Sequence, residues 1–281
     1  MSTDTTARSN WLRFREERNA SLAQEHGWLS LTGFFWLPDS PARLPGLPGL
    51  WSASDGGAAL DAADTDGLHL VDSGEPASGR LAARLDDEES LLWIGFQAGH
   101  DGAGHGGDVV VELARRAGKY AVRPRDASSP ALASFRGVPV YGYAPEWVLS
   151  GMFEPYPQPV DVPIRTAHPE VPGVHRSVGE VAFSLPGDQA VQRLQVAASG
   201  PDRLTLTFHD ATNGASTAGW RSLAFPAPAA GTRERGPVVL DFNRAVNYPS
   251  AFTPFGTCPM PVEGNRIAGP VEAGEQRPDA A

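Results

Sequence analysis

Apolar and polar residues alternate most regularly between 204 and 209, where Leu204, Leu206 and Phe208 interleave with Thr205, Thr207 and His209. A two-residue period describes a strand with one buried face and one wetter face. Val181 to Leu185 and Val191 to Val196 precede it, and the turn formers Pro186-Gly187-Asp188 and Gly200-Pro201-Asp202 separate the three segments. They read as an antiparallel meander. Upstream, Leu68 to Val71, Arg80 to Leu85, Leu91 to Phe96, Val109 to Leu113 and Tyr120 to Arg123 fall at strand spacing, with a hairpin turning near Ala117 and Gly118.

One segment carries a helical period instead. Ser9 or Asn10 caps a helix running to about His26, with Trp11, Phe14 and Leu22 near one face and Gly27 as its stop. Arg13, Arg15, Glu16, Glu17 and Arg18 are assigned to its solvated face. The aromatic run from Trp28 to Leu37 reads as a buried strand or tight turn. Residues 38–66, interrupted by Pro38, Pro41, Pro45 and Pro48, read as an irregular connection. About ten to twelve strands and a single helix predict a mainly β fold, an antiparallel barrel or a two-layer sandwich, either of which protects strand edges. Residues 9–276 are expected to form one domain between disordered ends at 1–8 and 277–281.

Composition sharpens this picture. The 31 glycines and 26 prolines among 281 residues suit many short strands, and 41% hydrophobic residues suffice for a core. A net charge of −10 argues against a nucleic-acid partner, whose phosphates require clustered Lys and Arg. Neither a membrane-length apolar stretch nor a signal-peptide core occurs, so no membrane association and a cytoplasmic location are expected. The single cysteine, Cys258, has no intramolecular disulfide partner.

The densest motif runs from Asp241 to Thr253, reading DFNRAVNYPSAFT, and continues through Thr257-Cys258-Pro259-Met260-Pro261, Asn265-Arg266 and Ala273-Gly274-Glu275. This closely resembles the signature of the uncharacterised DUF1684 family. The segment Gly27 to Leu37, and Phe208 to Gly214 with Arg221, are similar to two further blocks of that family. The resemblance spans about residues 10–276. It departs where Ser250 stands for a usual cysteine, where Ala218 stands for a usual tyrosine, and in a shorter, proline-rich 38–66. The resemblance implies membership and no defined activity.

Several constellations offer chemistry. Asp241, Asn243, Arg244, Asn247, Cys258, Asn265 and Arg266 gather many polar groups among prolines and aromatics, and such groups are costly to bury unless hydrogen-bonded. One reading is a pocket in which Arg244, Asn243 and Asn247 hold a carboxylate or carbonyl, Asp241 orients the arginine, and Asp210 or a histidine moves protons. The other is a polar clamp on a sheet-covering loop. Asp210 and Arg221 read as an ion pair beside the Asp210-Ala211-Thr212-Asn213-Gly214 turn, at a pocket rim if Arg244 lies near. Cys258 is a candidate ligand contact, or a nucleophile if a partner lowers its pKa. Trp147, near Tyr141, Tyr143, Phe153 and Tyr156, suits stacking on a planar ligand or packing in the core. His209, His168 and His175 are candidate general bases. His100, Asp101, His105 and Asp108 invite a metal reading, but the glycine-rich spacing matches no recognised site and no metal is expected. No P-loop, GxGxxG or GxSxG motif occurs, so no cofactor is implied. A small-molecule-binding β protein follows, either a cofactor-free enzyme acting on a carboxylate- or carbonyl-bearing metabolite or a non-catalytic carrier or sensor.

Overall fold

The computed structural model describes residues 2–99 and 107–278. The sequence suggests one domain over 9–276; chain contacts gather the residues into two compact units, Ser21–Phe135 and Met1–Ala20 with Arg136–Ala280. The fold is mainly β, with antiparallel sheets and an N-terminal helix. Each hydrogen-bonded strand order is open at both ends, so no ladder among the described residues closes a barrel.

The unit Ser21–Phe135 is a two-layer packing. Its strands are β1 (Phe35–Trp36), β2 (Leu50–Ser54), β3 (Gly57–Ala62), β4 (Leu68–Leu70), β5 (Pro76–Ala77), β6 (Gly79–Ala83), β7 (Ser90–Gln97), β8 (Asp108–Arg116) and β9 (Lys119–Asp126). A six-stranded sheet in the order β1-β9-β8-β7-β4-β5 shares its core with a three-stranded sheet β2-β3-β6. Trp51 of the small sheet meets Trp93 of the large one edge-on at 5.9 Å. The β8–β9 hairpin turns at Ala117 and Gly118, whose φ values of 50° and 76° are the left-handed pair that a two-residue turn demands. The irregular connection expected over 38–66 instead contains β2 and β3. The prolines end at Pro48, and from there Trp51, Ser52 and Ala58 to Leu60 turn inward. At the centre of the large sheet, burial pushes the Glu112 carboxyl up, but Arg123 and Arg125 beside it outweigh that and hold it below the usual carboxylate range. Of the histidine-rich loop, His100, Asp101 and His105 lie outside the described residues. Asp108 accepts a hydrogen bond from Gln97 Nε2 at 3.2 Å.

The N-terminal helix α1 covers Ser2–Leu22, and all but its last two residues belong to the other unit. It begins well before the expected cap, and the Ser9 hydroxyl donates back to the Thr5 carbonyl instead of closing a helix end. Its buried stripe is Trp11, Arg15 and Leu22, with Arg18 half-buried on the same side. Arg15 and Arg18 therefore do not belong to the solvated face, because a buried acid, described below, gathers both guanidiniums inward.

The strands of this unit are β10 (Val148–Ile164), β11 (Gly173–Ser184), β12 (Val191–Ala198), β13 (Arg203–Phe208), β14 (Arg221–Pro226), β15 (Gly236–Asp241) and β16 (Val246–Asn247), ordered β15-β10-β11-β12-β13-β14-β16. The long β10 escapes a proline-based reading because its β11 register breaks between Pro155 and Val160, where Pro157 and Pro159 donate no ladder bonds. One face of the sheet packs Phe153, Val181, Leu194, Leu204, Leu206, Phe208, Leu223 and Leu240 into a core. Thr205, Thr207 and His209 take the opposite face, as their alternation predicts. A bulge between Ser177 and Gly179 moves His175 and Ser177 to that polar face as well.

Candidate functional site

Two groups of polar side chains lie within the unit Met1–Ala20 with Arg136–Ala280, and they differ in kind. The first is closed. Asp210 and Arg221 form an ion pair at 2.8 Å with both side chains fully buried. Asp210 Oδ1 also accepts from the backbone N–H of Thr212 at 2.8 Å and of Val271 at 3.3 Å, and from the Thr212 hydroxyl. Arg221 donates to the carbonyls of Val271, Ala273 and Glu275. The pair therefore ties the end of β13 and the start of β14 to the C-terminal segment.

Glu275 extends this network. Its fully buried carboxylate accepts from Arg15 at 2.9 Å, from Arg18 at 3.1 Å and from the Asn247 backbone at 2.7 Å. The preceding Gly274 has φ 77°, and a Cβ there would come within 2.5 Å of the Ala245 carbonyl and 2.8 Å of the Phe242 carbonyl. Glycine is required because two carbonyls occupy the space of a side chain. The Ala-Gly-Glu tripeptide is thus an anchor for the 242–247 segment.

The other residues singled out from the sequence divide around these anchors. Asn243 grips Ala144 through both of its amide ends, donating Nδ2–H to the Ala144 carbonyl at 3.0 Å and accepting its N–H at 2.9 Å. Asn247 donates to the Gln276 carbonyl at 2.8 Å. Asp241 orients Arg244 at 3.2 Å, as expected, and that half-exposed guanidinium lies 5.0 Å over the Phe14 ring. Trp147 packs on Phe242 at 6.2 Å, on the margin of the core. Cys258 is buried, and its carbonyl accepts from Ala167 N–H at 2.8 Å. Among the described residues Arg221 Nε and Asn247 Oδ1 make no hydrogen bond, but both residues are at most 1% exposed.

The second group is open. Segment 165–167 pairs with 258–260 through Met260 N–H to the Arg165 carbonyl at 2.9 Å and a bridge between Thr166 and Pro259. A 590 Å³ cavity beside this pairing is lined by Arg165, His209, Met260, Glu263 and Arg266, with Pro163, Ile164 and Pro261 as apolar wall. An adjoining 450 Å³ cavity shares Ile164, Arg165 and Met260 and continues along Thr166, His168 and Val171. These volumes fall in the range of small-molecule sites. Among the described residues neither Arg165 nor Arg266 is in an ion pair or a side-chain hydrogen bond, although the Glu263 carboxylate lines the same groove.

Strand geometry explains why the two groups adjoin. The β12–β13 ladder runs only from Ala197 and Thr205 to Ala198 and Leu204. Beyond it Asn265 inserts its amide, accepting from Gln195 N–H at 2.8 Å and donating to the Gln195 and Thr207 carbonyls at 2.8 and 3.0 Å. His209 and Arg266 then pair in parallel. Consecutive residues on extended chain point to opposite sides. Asp210 and Asn265 are therefore tied inward while their neighbours His209 and Arg266 line the groove.

His209 donates Nδ1–H to the Gly219 carbonyl at 2.9 Å, since a carbonyl only accepts. In the neutral ring Nε2 is then the unprotonated nitrogen. On the same sheet face His175 Nδ1 bonds the Ser177 hydroxyl at 2.8 Å, which reaches Gln195 Oε1 at 2.5 Å. Burial lowers the His175 pKa below the ordinary histidine value, and its Nε2 is buried without a hydrogen-bond partner among the described residues. Of the groove residues, His209 and Arg266 stood out in the sequence; Arg165 and Glu263 did not. Glu263 lies within the 258–266 stretch and was readable by position, whereas Arg165 reaches that stretch only through the pairing of 165–167 with 258–260 in the fold.

The motif residues Asp241 to Glu275, now located, decide the family. The model described as "Protein of unknown function (DUF1684)" matches residues 133–276. The chain belongs to DUF1684. The matched region lies almost wholly within the unit that holds both polar groups, while the Gly27 to Leu37 resemblance falls outside it. Among solved structures, the uncharacterized protein from gene locus rrnAC0354 of Haloarcula marismortui is similar, at 23% identity over 51% of this chain and 78% of that one, with a TM-score of 0.41. No curated protein matches. No helix among the described residues is long and apolar enough to cross a membrane.

Proposed function

We propose that this DUF1684 protein binds a small carboxylate- or carbonyl-bearing metabolite in the groove between segments 163–168 and 260–266. One observation carries this reading: Arg165 and Arg266 line a 590 Å³ cavity while engaging no carboxylate among the described residues. The Asp210–Arg221 and Glu275 networks, by contrast, present no accessible charge to a guest. A guanidinium offers paired N–H donors to a carboxylate, and the apolar wall of Ile164, Pro163, Pro261 and Met260 suits the remainder of a small organic acid. A cytoplasmic setting belongs to the proposal and is supported by the lone cysteine.

The test is calorimetric titration of the wild-type protein with a panel of mono- and dicarboxylic acids and their amides. Saturable binding of an acid, weakened about tenfold or more by Arg165→Ala or Arg266→Ala, corresponds to at least ~1.4 kcal/mol per arginine and supports the site. Binding that both substitutions leave unchanged, or no saturable binding across the panel, overturns it.

A further inference from the structure

We infer that His209 is the proton-transferring residue of this groove and that its substrates are acids with an enolisable carbonyl, such as 2-oxo and 3-oxo acids. The inference rests on the binding reading above and adds chemistry to it. The hydrogen bond from Nδ1–H to the Gly219 carbonyl does two things for His209. It fixes the neutral tautomer, leaving the lone pair on Nε2, and it fixes the ring against rotation. Nε2 makes no hydrogen bond among the described residues, and the ring lines the cavity together with Arg165 and Arg266. Enolisation uses a base for the C–H proton and a cation for the developing oxyanion, and this cavity, which Glu263 also lines, holds an imidazole and two guanidiniums, one of them left over to hold the acid's carboxylate.

The step balances within the site. Nε2 takes a proton from the carbon next to the carbonyl. The C–H electron pair becomes the C=C bond of the enolate, and the carbonyl π pair moves onto oxygen, where a guanidinium holds the negative charge. The imidazolium then returns a proton to carbon and the carbonyl re-forms. No oxidant, reductant or co-reactant is consumed. One arginine holds the carboxylate and the other the developing oxyanion, which gives each of the two cationic side chains a separate role.

The experiment follows deuterium incorporation at C3 of 2-oxobutyrate and C2 of 3-oxobutanoate by proton NMR in heavy water, alongside calorimetric affinity for the same two acids. Wild type should exchange these protons faster than buffer. His209→Asn, whose amide can still reach the Gly219 carbonyl, should bind with unchanged affinity and lose roughly 10²-fold or more of the exchange rate, the usual weight of one general base. His209→Gln, with the same unfolding midpoint as wild type, should behave alike. Tight binding by wild type with no exchange above buffer overturns the proton transfer and leaves the binding site standing as that of a carrier. Exchange unaffected in His209→Asn overturns the assignment to His209. Failure of both acids to bind wild type, when other carboxylates bind, overturns the substrate class.

Discussion

The buried polar contacts and the groove are built from adjacent residues: ion-paired Asp210 follows His209, and Asn265, whose amide bonds the Gln195 and Thr207 backbone, precedes Arg266. Asp210 is at most 2% exposed and has its carboxylate bonded to Arg221, Thr212 and Val271, whereas His209 is half-buried and Arg266 exposed. What separates their roles is the alternation of an extended backbone, which sends one neighbour into the fold and the next onto the cavity wall. The closed network therefore fixes the backbone from which the groove side chains project. Charge alone is no guide to function in this chain, because its most buried charges are its most satisfied ones.

That contrast predicts a graded response to substitution, steepest in the closed network. Asp210→Ala leaves Arg221 buried without its counter-ion and should destabilise the unit by about 3–5 kcal/mol, read as a lower guanidinium chloride midpoint. An unchanged midpoint would show that the pair does not hold the C-terminal segment, and the distinction between the two regions would fail. Next in size, Gly274→Ala forces a Cβ against the Ala245 and Phe242 carbonyls at φ 77° and should cost about 1–3 kcal/mol.

Much of this architecture was legible in the sequence. The 181–208 meander, the 117–118 hairpin turn and the polar face bearing Thr205, Thr207 and His209 all followed from a two-residue period and turn chemistry, which are local. β10 was hidden because it carries four prolines, of which Pro157 and Pro159 sit where a register break excuses them, a tertiary condition. Arg15 and Arg18 read as a solvated face because their partner, Glu275, lies at the other end of the chain. The ion pair of Asp210 with Arg221 and the orientation of Arg244 by Asp241 were legible from residue type. The groove was not, since Arg165 reaches it only through the pairing of 165–167 with 258–260.

A smaller effect concerns pH. Burial lowers the His175 pKa, so the folded protein resists protonating this ring while the unfolded chain takes up the proton near the ordinary value of 6.5. Below that value the unfolded state binds more protons, and stability from this residue falls as pH drops. Denaturation series at pH 7.5 and 5.5 should show a lower midpoint at the acid end, and His175→Gln should flatten that difference. A slope identical in the variant would place the pH response elsewhere.

The smallest expected change in stability is in the groove, and it carries the most information about function. Arg165 and Arg266 are exposed and have no ion pair among the described residues to lose, so each alanine substitution should move the folding free energy by no more than about 0.5 kcal/mol. A real increase in stability on removing either arginine would be more telling still. Two guanidiniums lining one cavity repel each other, and a fold that maintains such repulsion gives up stability in exchange for a cation-lined site. If either alanine variant instead unfolds as readily as Asp210→Ala, the groove is a second structural clamp, and the separation between a closed scaffold and an open site is lost.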